Sequence, residues 1–325
     1  MRRREFIATV GGAAAMWSLG ARAQQQAMPV VGFLRSTSLV PFASLGVALR
    51  QGLAEVGFVE GRNIVIESRY AENDLSRLPA MAAELVRRPV NVIVANGLAA
   101  NAAKAATTTI PIVFAAGDDP VNAGLVPNLN RPGGNITGIA FLGGVVGTKR
   151  LALLRQFVPK ATLVAALVYP NTTESEAERR ELLAAAQSVG QQLIVLDVVS
   201  GGDIERAFAT ATQRGAGAVL IGIGAFMNSQ RERLTALAAR HAVPAIHFQR
   251  EFAELGGLMS YGASQTDAYR QSGIYAGQIL KGEKPGDLPV VQATKFEFVI
   301  NLKTAKALGL EIHPQLLAAV DEVIE

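Results

Sequence analysis

The sequence predicts an α/β protein with two doubly wound parallel-sheet lobes joined by a three-strand hinge. Continuous Val- and Ile-rich runs alternate with amphipathic helical stretches, which is typical of parallel strands covered on both faces. This pattern begins again after a glycine-rich stretch, PGGNITGIAFLGG, at 132–144. The 325 residues, half of them apolar, are enough for two hydrophobic cores.

The first series of elements begins at Val30, where an apolar run ends in a polar loop. The predicted strands cover 30–34, 63–70, 90–95 and 111–115, and the predicted helices cover 42–56, 75–88 and 99–106. Because strands and helices alternate, the strands are expected to form one parallel sheet.

The glycine-rich stretch at 132–144 is interpreted as the first part of the hinge. Gly133 and Gly134 permit a turn, the run from Ile136 to Phe141 forms a strand, and Gly143 and Gly144 end it. On this segment alone, an ordinary strand inside one large sheet is an equal alternative. The repeated layout on both sides favours a strand that crosses between lobes.

The second series repeats the alternation after the hinge. The predicted helices cover 148–157, 174–189, 204–214 and 230–241, and the predicted strands cover 163–169, 192–198, 218–223 and 244–248. Leu258–Tyr261 and Leu288–Ile300 are expected to cross between lobes, and the helix at 266–281 to pack back on the first lobe. The prediction assigns 29–139 plus 262–287 to lobe 1 and 140–261 plus 288–325 to lobe 2.

The first 23 residues have the pattern of a twin-arginine signal peptide. An RRxF motif at 3–6 precedes an uncharged run, and an AxA cleavage site follows at 21–23. A retained membrane anchor is the alternative, but the run is short and rich in Gly and Ala. The mature chain is therefore expected to begin at Gln24 as a soluble periplasmic protein.

The net charge of +4 belongs mainly to this leader, which holds four of the 31 basic residues and one of the 27 acidic residues. Without the leader the formal charge is about +1, which gives no support for nucleic-acid binding. The chain has no cysteine, so disulfides, thiolate metal sites, thiol nucleophiles and a lipid-modified cysteine are excluded.

The sequence contains no recognisable catalytic or cofactor motif. The three histidines, His241, His247 and His313, are scattered and lack metal-ligand spacing. Asp118 and Asp119 are paired carboxylates, but adjacent side chains point apart, and one of them is expected to cap the turn before Pro120. The sequence therefore predicts no enzyme, no metal and no cofactor.

Polar or aromatic residues follow almost every predicted strand, at the strand ends where open α/β sheets bind ligands. The ligand-binding candidates are Ser36, Thr37, Asn96, Gly97, Asp118, Phe141, Tyr169, Asn171, Phe226, Glu251 and Tyr261.

Each candidate has a structural alternative. Ser36 and Thr37 could cap the next helix, and Asn96 and Gly97 could form only a turn. Phe141 and Phe226 could belong to the cores, as could Tyr169 and Tyr261 if their hydroxyls find partners. Glu251 could be a solvated carboxylate at a helix start.

Three long segments carry a family resemblance: DDPVNAGLVPNLNRPGGNITGI at 118–139, GGLMSYGAS at 256–264 and ILKGEKPGDLPVVQATKFEFVINLKTAKALGLEI at 279–312. Over nearly the whole mature chain the sequence resembles the ABC-transporter substrate-binding family that includes tryptophan and tyrosine binders. The resemblance implies a two-lobed type I periplasmic binding protein that delivers a small-molecule ligand to an ABC permease in the inner membrane. We expect it to be a monomer.

The expected ligand bears a carboxylate, as an amino acid or an aromatic acid does. Hydroxyl, amide and helix N-terminal donors in the loops at 36–38 and 96–97 would bind the carboxylate, and Asp118 would pair with an ammonium. Tyr169 and Phe226 would close over an apolar side chain. An exported α/β enzyme and a non-transport ligand sensor are the alternatives; a sugar-responsive repressor would need a DNA-binding helix pair, which the sequence lacks.

Overall fold

A computed structural model of the protein describes residues 28–117, 119–141, 146–170 and 172–325. The predicted signal peptide and the hinge glycines Gly143 and Gly144 lie outside the described residues. The lobe boundaries and the cleavage site stay predictions.

The first sheet contains six strands within the described residues. They are β1 (Val30–Arg35), β2 (Val65–Tyr70), β3 (Val92–Asn96), β4 (Ile112–Ala116), β5 (Ile136–Ala140) and β11 (Val291–Gln292). Their order is β2–β1–β3–β4–β5–β11, and every pair is parallel. The lobe built on this sheet is called lobe 1.

The second sheet contains seven strands within the described residues and defines lobe 2. They are β6 (Leu163–Val168), β7 (Gln192–Asp197), β8 (Ala218–Ile221), β9 (Ala245–His247), β10 (Met259–Ala263), β12 (Phe296–Asn301) and β13 (Glu322–Ile324). Their order is β7–β6–β8–β9–β10–β12–β13, with only β10 and β12 antiparallel. The first five strands follow the same order in both sheets, so the predicted fold class is confirmed.

The helices lie between the strands in both lobes. They are α1 (Ala43–Glu55), α2 (Leu78–Arg87), α3 (Gly97–Ala106), α4 (Gly147–Phe157), α5 (Thr173–Ser188), α6 (Gly201–Gln213), α7 (Ala225–Ser229), α8 (Arg231–Arg240), α9 (Arg250–Glu254), α10 (Gln265–Leu280), α11 (Leu302–Ala307) and α12 (Pro314–Leu317). None of these helices combines the length and the apolarity that crossing a bilayer requires.

Each sheet is covered by apolar side chains on both faces, as alternation along a strand requires. In β1, Phe33 packs in the core under α1 and α10, and its neighbour Leu34 packs in the core under α2 and α3. Helix α10 approaches α1 closely through glycines, since a Cβ at Gly52 would collide with the backbone of Arg270.

The chain passes between the two sheets after β5, after β10 and between β11 and β12. The segment predicted as one crossing strand, Leu288–Ile300, is therefore two strands in different sheets. In the linker between them the Ala293 N–H donates to the carbonyl of Ala140 (2.8 Å), and the Lys295 carbonyl accepts from the N–H of Ser264 (3.0 Å). These bonds hold the three connections side by side.

Two regions differ from the predicted elements. The helix expected at 230–241 is preceded by the short helix α7, which begins after Gly224 in the left-handed region at φ 118°. Beyond Ile300, no helix or strand was predicted, and α11, α12 and β13 lie there. These three elements have six, four and three residues, too few for a periodic pattern to identify.

Candidate ligand-binding site

A cavity of about 190 Å³ lies between the two lobes at the carboxyl ends of the strands. Loops after β1, β3 and β4 line it from lobe 1, and loops after β6, β8 and β9 line it from lobe 2. The start of α10 contributes Gln265 and Tyr269. This is the edge at which open parallel sheets bind their ligands.

Arg35 places a positive charge on the lobe 1 wall of this cavity. It ends β1 on the same face as Phe33, and its side chain reaches α10, where Nη1 donates to the Tyr269 hydroxyl. Nη2 donates to Thr37 Oγ1 (3.1 Å), and the guanidinium carbon lies 5.0 Å from the ring centroid of Phe42. The residue is only 3% exposed, and burial lowers the pKa of Arg35 to about 10.

No described carboxylate forms an ion pair with Arg35, and the described group that acts on its charge besides burial is Tyr70. Its Nε has no hydrogen-bond partner among them either. A buried guanidinium is stabilised by an anion that binds it with hydrogen bonds. The wall at Arg35 is therefore suited to an anionic group of a ligand.

Ser36 and Asn96 hold the neighbouring loops of lobe 1 together. The Ser36 N–H donates to Asn96 Oδ1 (2.9 Å), and Asn96 Nδ2 donates to Ser36 Oγ (2.7 Å). Because the Asn96 side chain is engaged with Ser36, it does not cap α3, whose first residues Gly97 and Leu98 line the cavity. Uncapped N–H groups at a helix start favour an anion nearby.

Aromatic rings form much of the lobe 2 wall and the floor of the cavity. Tyr169 and Phe226 stack with ring centroids 4.9 Å apart and an interplanar angle of 28°. Phe248, which follows β9, and Phe141, which follows β5, also line the cavity. Such a surface is suited to an apolar or aromatic portion of a ligand.

Glu174 brings a carboxylate into the cavity from lobe 2. It lies in the first turn of α5, which begins where Thr172 Oγ1 accepts from the N–H of Ser175 (3.1 Å). The carboxylate lies against Gly117 of lobe 1, where an added Cβ would collide with it. Glycine at 117 therefore allows this close contact between lobes.

A buried ion pair in lobe 2 stabilises a loop that lines the cavity. Arg150 of α4 is fully buried, pairs with Glu178 of α5 and donates from Nη1 to the Ile221 carbonyl (2.7 Å). Glu178 Oε2 accepts from the N–H of Ile223 (2.8 Å). These bonds fix the loop after β8, which presents Phe226 to the cavity.

The structure brings seven of the predicted site residues to this cavity. They are Ser36, Thr37, Asn96, Gly97, Phe141, Tyr169 and Phe226. Asp118 and Asn171 lie outside the described residues. Their role in binding stays a prediction.

Tyr261 and Glu251 do not line the interlobe cavity. The Tyr261 ring packs in the lobe 2 core, stacked on Phe296 with centroids 6.0 Å apart. Glu251 lies in the first turn of α9 and lines a neighbouring cavity of about 20 Å³, which shares Phe248, Gln249 and Gln265 with the interlobe cavity. Burial raises the pKa of its carboxyl.

Sequence reasoning missed several residues of the cavity. The charged ones are Arg35 and Glu174, and the others include Phe42, Asn228, Phe248, Gln249, Gln265 and Tyr269. Arg35 could have been found, because it directly follows an apolar strand in the same loop as Ser36. Tyr269 gave no local signal, since α10 reaches the cavity only through tertiary packing. Within the described residues no three His, Asp or Glu side chains come together to hold a metal ion.

Residues 43–324 match the family model described as ABC transporter substrate binding protein. The chain is 26% identical over 279 residues to the tyrosine-binding protein of Clostridioides difficile strain R20291. That alignment covers 85% of this chain and 80% of the relative.

Two solved structures have a similar fold. The ABC domain from Streptococcus pneumonia in complex with L-Trp gives a TM-score of 0.83 at 26% identity, covering 92% of this chain and all of that one. A conserved domain protein from Vibrio cholerae gives 0.83 at 25% identity, covering 91% of this chain and all of that one. Both similarities extend across the two lobes and the hinge.

Proposed function

The chain belongs to the ABC transporter substrate-binding protein family, and we propose that it is the extracytoplasmic solute-binding component of an importer. In this proposal a small ligand with a carboxylate, an amino acid or an aromatic acid, is captured between the lobes. The protein acts as a carrier rather than as an enzyme. A permease in the inner membrane then receives the ligand.

The observation that carries the ligand class is the environment of Arg35. Arg35 lines the interlobe cavity, is 3% exposed as a residue, and has no carboxylate partner among the described residues. A ligand carboxylate would supply the missing negative charge, with the hydroxyls of Ser36 and Thr37 and the start of α3 alongside. With a neutral ligand, no carboxylate among the described residues would pair with Arg35.

The aromatic wall supports a ligand with an apolar or aromatic portion. Tyr169, Phe226 and Phe248 come from lobe 2, and Phe42 comes from lobe 1. The ligands in the names of two relatives, tyrosine and L-tryptophan, have both an aromatic ring and a carboxylate. The same class of ligand fits the walls of this cavity.

A thermal-shift panel of amino acids, aromatic acids, neutral sugars and polyamines tests the ligand class. A carboxylate ligand at a hundredfold excess over its dissociation constant should stabilise the fold by about 2.7 kcal/mol. Stabilisation by a sugar with none by any carboxylate would contradict the proposal. Turnover of a bound ligand in the same samples would favour the exported-enzyme alternative.

The proposed location depends on the leader at 1–23. Replacing Arg3 and Arg4 with Lys should block export, whereas Lys281→Arg in the mature chain serves as a matched control. Continued processing at Gln24 in the doubly substituted protein would contradict a twin-arginine route.

The proposed capture requires the lobes to close over the ligand. Small-angle scattering with and without a saturating carboxylate ligand measures this closure. An unchanged radius of gyration would argue against motion at the three connections between the sheets.

A further inference from the structure

The two sheets end on corresponding strands, β2 in lobe 1 and β7 in lobe 2, and these strands differ in charge. β2 carries Glu67 and Arg69 in its middle, and ion pairs join Glu67 to Arg88 and Arg69 to Glu84 (both 2.8 Å). Charged side chains on an edge strand oppose its pairing with a further strand. β7 has the sequence QLIVLD, in which the one charged residue is the last. The middle of β7 is therefore not protected by charge as the middle of β2 is.

The outer edge of β7 presents unpaired backbone groups. The Val198 N–H donates to the Val168 carbonyl of β6 (2.9 Å), which shows that the even-numbered residues of this strand face β6. Backbone groups alternate between the two sides of a strand, so those of Leu193, Val195 and Asp197 point away from β6. These outward N–H and C=O groups have no hydrogen-bond partner among the described residues. They could pair with another strand.

Apolar side chains surround this edge on both faces of the sheet. The four central side chains of β7 are half-buried, and they are Leu193 and Val195 on the face under α5 and Ile194 and Leu196 on the face under α6. On α5, Leu183 lies one turn after Arg179, which pairs with Asp197, and it is 46% exposed. Val189 and Val199, on either side of β7 in the sequence, are 47% and 52% exposed. Such a surface is suited to a protein partner.

We propose that β7 pairs antiparallel with β7 of a second copy of this chain, so that two copies of lobe 2 share one continuous sheet. A two-fold axis normal to the sheet at Ile194 keeps corresponding faces together, as strand pairing requires. It places Ile194 opposite its own copy, Leu193 opposite Val195, and Gln191 opposite Asp197. The outward backbone groups of Leu193 and Val195 then bond to each other, and no like charges oppose each other in this strand pair.

The two-fold axis also brings the α5 helices of both copies to the same face of the shared sheet. The exposed Leu183 of each copy then points to the groove between these helices, where the partner covers it. β7 belongs to lobe 2 alone, so the pairing requires no particular arrangement of the lobes. This inference does not depend on the proposed function, and it replaces the monomer expected from the sequence.

Sedimentation velocity of the mature protein tests the dimer. As the concentration rises into the high micromolar range, the wild type should pass from monomer to dimer. Val195→Lys introduces a charge into the middle of the strand pair and should keep the protein monomeric. Ser68→Lys, at the same position of β2, is the matched control and should dimerise like the wild type.

Leu183→Lys tests the same surface without altering the core, because this side chain is exposed. The lysine would have to be buried between the two α5 helices, so the dimer should weaken by about tenfold or more. The melting temperature of each variant at low concentration should equal that of the monomeric wild type, which excludes loss of folding as the cause.

Single cysteines test the register, since the chain has none of its own. The two copies of Ile194 would form a non-hydrogen-bonded pair with Cα atoms about 4.5 Å apart, a separation that a disulfide can span. Ile194→Cys should therefore give crosslinked dimers on mild oxidation. Leu196→Cys, on the same face but two residues from the axis, should not.

A wild type that stays monomeric at every concentration would overturn the inference and leave the edge to a strand of another protein. A dimer that persists in Val195→Lys and Leu183→Lys would also overturn it, because the copies would then meet through another surface. Equal crosslinking of the two cysteine variants would overturn antiparallel pairing at Ile194.

Discussion

Among the described residues each lobe buries one arginine, and the two are stabilised differently. Arg150 of lobe 2 is fully enclosed, but Glu178 and the Ile221 carbonyl compensate its charge within the protein. Arg35 of lobe 1 has only hydroxyls and aromatic rings around it in the described structure. Burial lowers the pKa of both residues, to about 9 for Arg150 and about 10 for Arg35.

This difference separates a structural charge from a charge suited to ligand binding. A buried pair is costly to break but does not by itself bind a third group. A buried cation without a carboxylate reduces the stability of the unliganded protein, and an anionic ligand recovers that free energy on binding. We therefore expect Arg150 variants to change folding and Arg35 variants to change affinity.

The largest effect is expected from Arg150→Met. It leaves the Glu178 carboxylate buried and unpaired, so the free energy of unfolding should fall by about 3–5 kcal/mol. Arg155→Met, in the same helix α4 and only partly buried, is the matched control. Urea denaturation measures both variants.

A double variant identifies the cause. Glu178→Gln keeps an acceptor for the Ile223 N–H, so Arg150→Met combined with it should recover about 1–3 kcal/mol relative to the sum of the single effects. Additive losses would show that lost packing, rather than the unpaired charge, destabilises the single variants.

The next effect concerns Arg35→Met. Affinity for carboxylate ligands should fall by about 2–5 kcal/mol, roughly thirtyfold or more, because one partner of a buried charged contact is removed. The free energy of unfolding without ligand should change little, since the substitution breaks no ion pair among the described residues. Calorimetric titration and urea denaturation measure the two quantities, with the exposed Arg131→Met as control.

An Arg35 variant that loses several kcal/mol of stability but binds normally would reverse the comparison. In that case the two arginines would both be structural.

The fold was predictable because it depends on local patterns. Continuous apolar runs such as 90–95 and 111–115 indicate buried parallel strands, and glycines mark the turns. The hinge segment Leu288–Ile300 was predicted as one strand because both of its halves are apolar. Only the pairing of β11 with β5 and of β12 with β10 separates them.

The site was less predictable because it depends on which way a side chain points. Tyr261 and Phe141 both lie in segments that were predicted as crossing strands. Phe141 lines the cavity, whereas Tyr261 packs on Phe298 in the lobe 2 core. After β9 the prediction chose Glu251, whereas the residue that lines the interlobe cavity is Gln249, two positions earlier. A shift of this size at a strand end cannot be recognised from the sequence.

A smaller effect is expected in the pH dependence of folding stability, because the buried His247 lies close enough to Arg150 for its pKa to be affected. Burial, followed by the nearby Arg150 and Arg231, lowers the pKa of His247 well below its usual value of 6.5. Below pH 6.5 the unfolded chain binds a proton that the folded protein does not, so stability falls as the pH falls. The slope should approach about 1.4 kcal/mol per pH unit until the folded pKa is reached.

His247→Phe keeps an aromatic ring between Phe248 and Phe252 and removes the titrating group. Urea denaturation at pH 7.5, 6.5 and 5.5 should show wild type losing stability relative to the variant as the pH falls. Parallel curves would mean that the buried imidazole accepts a proton in the folded protein despite the two cations.

The smallest effect concerns the support of Arg35 by α10. Tyr269→Phe removes the hydroxyl that accepts from Arg35 Nη1 but keeps the ring that packs edge-on against Phe33, with centroids 6.1 Å apart. Losing one hydrogen bond to the guanidinium should weaken carboxylate ligands by about 1 kcal/mol, roughly fivefold. Because the change acts on the carboxylate end of the ligand, an amino acid and the acid that lacks its α-amine should weaken equally. Tyr275→Phe on the same helix removes a hydroxyl that donates to the Pro289 carbonyl (2.9 Å) outside the cavity, so it should leave affinity unchanged. Weakening confined to the amino acid would place the ligand ammonium, rather than its carboxylate, beside Tyr269, and the assignment of the ligand carboxylate to Arg35 would then be wrong.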